Sequence, residues 1–325
     1  MNFTVKKYSS KEKALWDHFI SEAKNATFLF YRDYMDYHSQ RFDDHSLLVY
    51  NDETLVAVLP ANERGGVLHS HEGLSYGGFV LKKDTKFNEV LQAFKAVLVY
   101  LNSEEIKVFQ IKLLPKIYNL LPSDEMDYLL FKLRARIARR DFCSVIDNTQ
   151  RLTLKSSNRK RGVKKGIKNN LRIESTNDFG VFWEKILTPN LLQTHGTTPV
   201  HTLAEISALS NSFPKYIKQY NVYHENTIVA GATVFETDLV AHIQYISANQ
   251  NKQQLGSLDY LFDHLINDEY KEKRYFDFGI SNENKGAQVN EGLLSWKESF
   301  GGRSIVHDFY EIQTDNYTFL NEVFL

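Results

Sequence analysis

The sequence predicts an α/β (α+β) chain made of two successive copies of one unit, and three observations predict it. Tyr50-Asn51-Asp52-Glu53-Thr54-Leu55-Val56-Ala57 matches Tyr223-His224-Glu225-Asn226-Thr227-Ile228-Val229-Ala230 without a gap. The same offset sets His69 against His242, and each is followed by a helix pattern and then a strand, around Phe109 and Phe276. At 325 residues the chain is long for one domain and comfortable for two. A hairpin, a polar strand, a helix and a strand in the same order twice mark a repeated supersecondary unit.

The first copy opens on a helix. Ser9 and Glu12 have capping-box spacing, and Leu15, Trp16, Phe19, Ile20 and Ala23 follow on one face. Residues 27–38 read as a second, aromatic-rich helix. The runs 46–50 and 54–61 flank Asn51-Asp52-Glu53 as a hairpin. Residues 69–80 read as a strand-like stretch. A His-x-His on a strand puts His69 and His71 on one face; no third ligand is marked, so no metal is expected. The adjacent Gly77 and Gly78 would let a sugar or nucleotide approach the backbone. Residues 87–101 form an amphipathic helix, 106–113 a strand, 128–140 a basic-sided helix and 142–146 a strand. The boundary falls near Thr149, which gives domains 1–149 and 150–325.

The second copy begins with seven cations and no acid between them: Lys155, Arg159, Lys160, Arg161, Lys164, Lys165 and Lys168. Two readings stand, a solvated helix face and an anion site for phosphates of a donor or acceptor. Only Phe179, Phe182 and Trp183 lie near, so no stacking platform for nucleic acid is marked. Residues 179–192 are helical. A loop with His195 and His201 precedes Thr202 and Glu205, which again have capping-box spacing.

The most informative stretch is 241–303. Residues 241–248 form a strand that puts His242 and Gln244 on one face and Tyr245 on the other. Gln253-Gln254-Leu255-Gly256-Ser257 then opens an amphipathic helix, and its unpaired N–H groups make a seat for a pyrophosphate. A second strand ends on Asp277-Phe278-Gly279, where α/β sites gather polar groups. After a turn-rich loop, Val289, Leu293, Trp296 and Phe300 share a helix face, and 304–312 form a closing strand. His242 titrates near neutrality and is the first candidate for a base. Asp277 suits the orienting of an acceptor hydroxyl or amine, His201 a loop over the acceptor, and Lys297 a phosphate or carboxylate. Cys143 shows no local sign of activation.

Gln253 and Gly256 fit the GNAT acyl-CoA pattern Gln/Arg-x-x-Gly-x-Gly/Ala, with Leu258 where a small residue is expected. Asp277, Phe278, Gly279, Ser281, Gly286, Gly292, Leu293, Lys297, Phe300 and Gly301 follow a pattern that resembles the Fem-type transferases. It is closer still to their FemAB-like GNAT relatives in envelope-polysaccharide gene clusters. The resemblance covers roughly 159–311 well and the first half loosely. It implies two tandem GNAT-like domains, each a mixed, mostly antiparallel sheet flanked by helices. It implies acyl-CoA as donor substrate, on Gln253, Gln254, Leu255, Gly256 and Ser257. It also implies that the segment with His69, His71 and Tyr76 lines an acceptor cleft.

The expected activity is an N-acyltransferase acting on an amine of a sugar, nucleotide sugar or cell-envelope precursor. The alternatives are a tRNA-dependent aminoacyl transferase of Fem type, less favoured because no long coiled-coil arm is visible, and a non-catalytic glycan-precursor binder. Such chemistry needs no covalent intermediate, so a missing nucleophile triad is no objection. A formal net charge of -1 argues against DNA as a partner. One cysteine excludes an internal disulfide. The apolar run 90–101 is too short to span a bilayer, and no signal-like region follows the N-terminus, so a cytoplasmic protein is expected, with peripheral membrane contact possible.

Overall fold

A computed structural model describes residues 2–152 and 156–325; Lys155 of the basic run, with Thr153 and Leu154, lies outside them. The chain divides into two compact units: 1–141 with 285–287 and 306–325, and 142–284 with 288–305. This corrects the division at residue 149. The passage falls inside one long strand, and the closing strand belongs mostly to the first unit. Its partner there lies some two hundred positions earlier, a pairing that no local pattern announces.

In the first unit, β1 (Phe3–Lys7), β2 (Leu47–Asn51) and β3 (Thr54–Leu59) form an antiparallel meander. The capping box of Ser9 and Glu12 is made, and it leads into α1 (Lys13–Glu22), which buries Trp16, Phe19 and Ile20. The next expected helix is broken into short turns over Phe28–Phe30 and Arg32–Met35. A second set of strands contains β4 (Val67–His69), which runs parallel to β5 (Val108–Lys112), with the C-terminal strand Arg303–Gln313 antiparallel on the far side of β5. Helix α2 (Phe87–Ser103) packs Val90, Leu91, Phe94, Val97, Leu98 and Leu101 into this core, as its 3.6-residue period requires. The basic-sided helix ends early. α3 spans Glu125–Lys132, Arg134 turns at φ +53°, and the chain continues as β6 (Arg136–Asp147).

The second unit holds α4 (Ser157–Lys168) and the strands β7 (Arg172–Thr176), β8 (Ile217–His224), β9 (Thr227–Glu236), β10 (Val240–Ala248) and β11 (Tyr275–Ile280). They lie in the order β7-β8-β9-β10-β11-β6, and every pairing is antiparallel except β10 with β11. Helices α5 (Thr188–His195) and α6 (Leu203–Ser212) precede β8; α7 (Ser257–His264) and α8 (Glu291–Glu298) follow β10 and β11. Phe262, Phe276, Phe278 and Phe300 join Ala241 and Ile243 in the core under α7.

The repeat read from the sequence reaches the backbone. Both hairpins turn through a residue at φ +54°, Asp52 and Glu225, and both slip register at the equivalent step, Val49/Tyr50 and Val222/Tyr223. Both units are built of mixed, mostly antiparallel strands flanked by helices, and in the first unit those strands are divided between two sheets.

Candidate active site

β10 and β11 pair in parallel over three rungs, Val240↔Tyr275, Ala241↔Phe276 and His242↔Asp277. Among the described residues the pairing stops there. β10 runs on to Ala248, while β11 stays on β6 through Ile280↔Cys143. One residue past the last rung, β10 bulges. Ile243 lies opposite Val234 and Tyr245 opposite Thr233, which leaves Gln244 as the extra residue.

The bulge corrects the expected faces. Ala241 and Ile243 point into the core under α7, so His242 points the other way. Because Gln244 is extra, Tyr245 faces the same way as His242 instead of away from it. There it meets the edge of Trp183, with ring centroids 5.1 Å apart. Its hydroxyl lies 2.6 Å from His201 Nδ1 and accepts the His201 backbone N–H at 3.2 Å. Burial pushes this phenol up, opposed by hydrogen bonds from His201 and the Gln244 side chain. Gln244 Oε1 is buried with no partner among the described residues. His201 also lies 6.3 Å from the ring of Phe235, the residue directly opposite His242. Asp277, His242 and Tyr245 therefore share one sheet face, with loop residue His201 on Tyr245, and the sequence had singled out all four; Trp183 packs on Tyr245 and Phe235 lies near His201.

His242 Nδ1 lies 2.9 Å from Asp277 Oδ2, and Asp277 Oδ1 accepts the Gly279 N–H at 2.7 Å. A carboxylate only accepts, so Nδ1 carries the hydrogen of this bond, and in the neutral ring the lone pair is then on Nε2. Asp277 is buried, whereas the His242 side chain is 21% exposed. Gly279 sits at φ +72°, and a β-carbon there would lie 3.3 Å from His242 Cε1. A side chain there would be strained by the turn and would crowd the ring. Lys297, expected to meet a phosphate or carboxylate, is 4% exposed and donates to Gly279 O (3.0 Å) and Ile280 O (2.5 Å). Burial lowers its pKa to about 8, with Asp277 pulling the other way. It ties down the segment just beyond Asp277.

The turn at Gln253–Ser257 is built differently from the open seat expected. Gln253 and Gln254 are exposed, but Leu255, Gly256 and Ser257 are buried beneath α4. A β-carbon on Gly256 would lie 2.1 Å from Gly162 O, one on Gly162 1.7 Å from Asp259 Oδ2, and one on Gly166 2.6 Å from Tyr260 Cβ. The basic helix thus lays a glycine face on the start of α7. Lys165 donates to Gln253 O at 2.8 Å, and Arg159 pairs with Asp259. Lys160, Lys164 and Lys168 remain exposed.

In the first unit the histidine pair also departs from expectation. β4 ends at His69, and His71 follows at φ +60°, so the two share no strand face. His71 is buried, stacked 5.2 Å from His38, and burial pulls its pKa down to about 3. Tyr76 is buried and donates to Thr27 Oγ1 at 3.0 Å. The close approach that Gly77 permits is taken by the chain itself: a β-carbon there would lie 2.0 Å from Ser70 O. Residues 69–80 are therefore mostly a packed loop, with strand only at the two ends.

Neither a protein-family model nor a curated protein matches the sequence. Solved structures do. FemX aligns over 97% of this chain and 98% of its own, with a TM-score of 0.66 at 10% identity. The C-terminal domain of a protein assigned as lysylphosphatidylglycerol synthetase from Agrobacterium fabrum aligns over 97% and 96%, with 0.60 at 13%. A tandem GNAT protein from the clavulanic acid biosynthesis pathway aligns over 96% and 99%, with 0.50 at 7%. The chain has a tandem GNAT fold. At these identities the likeness speaks for architecture, and the FemAB-like resemblance read from 277–301 agrees with it. Among the described residues, no helix is long and apolar enough to cross a membrane.

Proposed function

We propose that the chain is an N-acyltransferase centred on the His242–Asp277 pair. The observation that carries the reading is that this pair sits on the last rung of two parallel strands, beside a bulged strand edge. An amine attacks only after losing its proton. His242 Nε2 takes that proton, and Asp277 holds the imidazolium on its Nδ1 side. The amine nitrogen bonds to the acyl carbon, the bond from that carbon to the carrier breaks, and the carrier leaves with the electron pair. Backbone N–H groups of β10 around the bulge are our candidates for the oxyanion donors. Tyr245, braced by His201, is our candidate to protonate the departing carrier.

Two carriers suit this chemistry. The turn pattern suggested a coenzyme A-type thioester. The cover of α4 over Leu255–Ser257 favours an aminoacyl ester of tRNA instead: the pyrophosphate seat is taken, while Lys160, Lys164 and Lys168 stand exposed along one stripe for a longer polyanion. The proposed acceptor is an amine of a sugar, nucleotide sugar or cell-envelope precursor, and the proposed compartment is the cytoplasm. Amide formation should be followed by mass with acetyl-CoA, longer acyl-CoAs and charged tRNA, each offered with UDP-amino sugars. Product from charged tRNA alone is the expected result. Product from an acyl-CoA would overturn the choice of carrier. Product that forms equally well after His242→Ala would overturn the centre.

A further inference from the structure

Gln244 is the extra residue of the β10 bulge, between Ile243 and Tyr245. Its side-chain amide donates to the Tyr245 phenol, which puts it on the face that His242 and Tyr245 share. The phenol also accepts the His201 backbone N–H at 3.2 Å. Both its lone pairs are then used, and its own proton goes to His201 Nδ1 at 2.6 Å. No phenol proton is left for Gln244, so the amide meets the phenol nitrogen first and turns its oxygen away. That oxygen is buried with no partner among the described residues. A buried amide oxygen without a donor costs free energy, so the site favours whatever brings a hydrogen to it.

A primary amine can bring one. As an ammonium it carries three hydrogens. His242 Nε2 takes the first, which frees the lone pair that bonds to the acyl carbon. The second makes good the proton that the departing carrier takes up. The third stays on nitrogen, because the amide of a primary amine keeps one N–H. A hydroxyl has a single hydrogen, which goes to His242. A secondary amine has none left once its amide forms. We propose that Gln244 Oε1 holds the third hydrogen and so makes the site select a primary amine over a hydroxyl or a secondary amine, a role that rests on the acyl-transfer reading of His242 and Asp277 and names the acceptor group within it.

Two readouts test this, one with turnover and one without. Charged tRNA and acetyl-CoA are each offered with UDP-glucosamine and with UDP-glucose. The parent is compared with Gln244→Met, which removes the oxygen at nearly the same volume, and with Gln244→Glu, which keeps an oxygen there. In the parent, amide should form at least about 100-fold faster than ester. Gln244→Met should lower amide formation roughly 10–100-fold and leave the ester rate where it was, whereas Gln244→Glu keeps the parent's preference. Gln244→Met as selective as the parent overturns the assignment. The second readout needs no donor. The side-chain amide resonance of Gln244, identified by its absence in Gln244→Met, is followed as methylammonium chloride, sodium chloride or methanol is added. Methylammonium alone should move it. No response, or the same response to all three, gives the oxygen to bound water and overturns the assignment. A response to methylammonium without turnover from either carrier would leave the amine slot standing and overturn the acyl-transfer reading instead.

Discussion

The two units carry the same parallel strand pair and treat its end in opposite ways. In the first, β4 and β5 run together over Val67↔Val108, Leu68↔Phe109 and His69↔Gln110; in the second, β10 and β11 run over Val240↔Tyr275, Ala241↔Phe276 and His242↔Asp277. Each run ends on a histidine opposite a polar residue. Beyond that rung the first unit closes over itself. Ser70 N–H donates to Gln110 O at 2.9 Å, Lys112 N–H to Ser70 Oγ at 2.9 Å, and Gly77 N–H to Lys112 O at 3.1 Å. Half-buried Lys112 ties down Leu74 O and Glu72 O. In the second unit β10 continues past the rung through its bulge, and a histidine–carboxylate pair is left at the parting. The two parallel pairs agree rung for rung, although the hairpin of the first unit lies in a different sheet from β4 and that of the second in the same sheet as β10; what differs at the rung is whether the chain folds back over it. On this reading chemistry belongs to the second unit and support to the first.

The largest effect should separate the two histidines. His242→Ala, or Asp277→Asn, is expected to lower transfer by about 10²–10⁴-fold with an unchanged melting temperature, whereas His69→Ala leaves the rate nearly untouched. Equal losses in rate assays would erase the distinction between the units. A glycine contrast comes next. Gly279→Ala forces a side chain into a left-handed turn against the His242 ring and should cost about 1–2 kcal/mol as well as activity, while Gly65→Ala, which meets open space, should cost only the backbone strain; urea titrations read both. Gly166→Val, at the seam of α4 and α7, should destabilise the fold by about 1–3 kcal/mol through overpacking against Tyr260.

The smallest expected effect lies in pH. Burial lowers Lys112 to about 7 and Lys297 to about 8 from an ordinary 10.5. The unfolded chain therefore holds protons that the folded chain has released, between pH 7 and 10.5 for the first lysine and between 8 and 10.5 for the second. Stability should rise with pH through those windows. Lys112→Met should flatten the slope from its lower onset, and Lys297→Met only the part above about 8; denaturant midpoints taken across the range would show it. His307 acts on the acid side: buried at about 4 against 6.5, it should take stability away as pH falls from 6.5 toward 4.

Much of this was legible. The octapeptide repeat foretold both hairpins, and His242 and Asp277 were singled out one by one, though not as partners of each other. What stayed hidden has identifiable physical causes. Alternation along 241–248 assumes a regular strand, and one extra residue defeated it at Tyr245. The glycines of Gly162-Val163-Lys164-Lys165-Gly166 sit among cations that drew attention to charge, although spacing of four puts them on one face for close helix packing. His71 was read as strand because nothing local announces a left-handed turn in a histidine. The tail strand's partner lies too far back in the chain for any window to find.

The bulge at Gln244 makes a shortened chain the gentlest probe of the site. Deleting one residue from a strand ordinarily turns everything after it inside out. Here the strand holds one residue more than its neighbour β9 can match, so excising Gln244 would restore plain over-and-under phasing. Ile246 and Ala248 would keep their places in the interior, Tyr245 and Ser247 would keep theirs outside it, and what would be lost is the kink beside His242 and the Gln244 side chain with its hydrogen bond to the Tyr245 phenol.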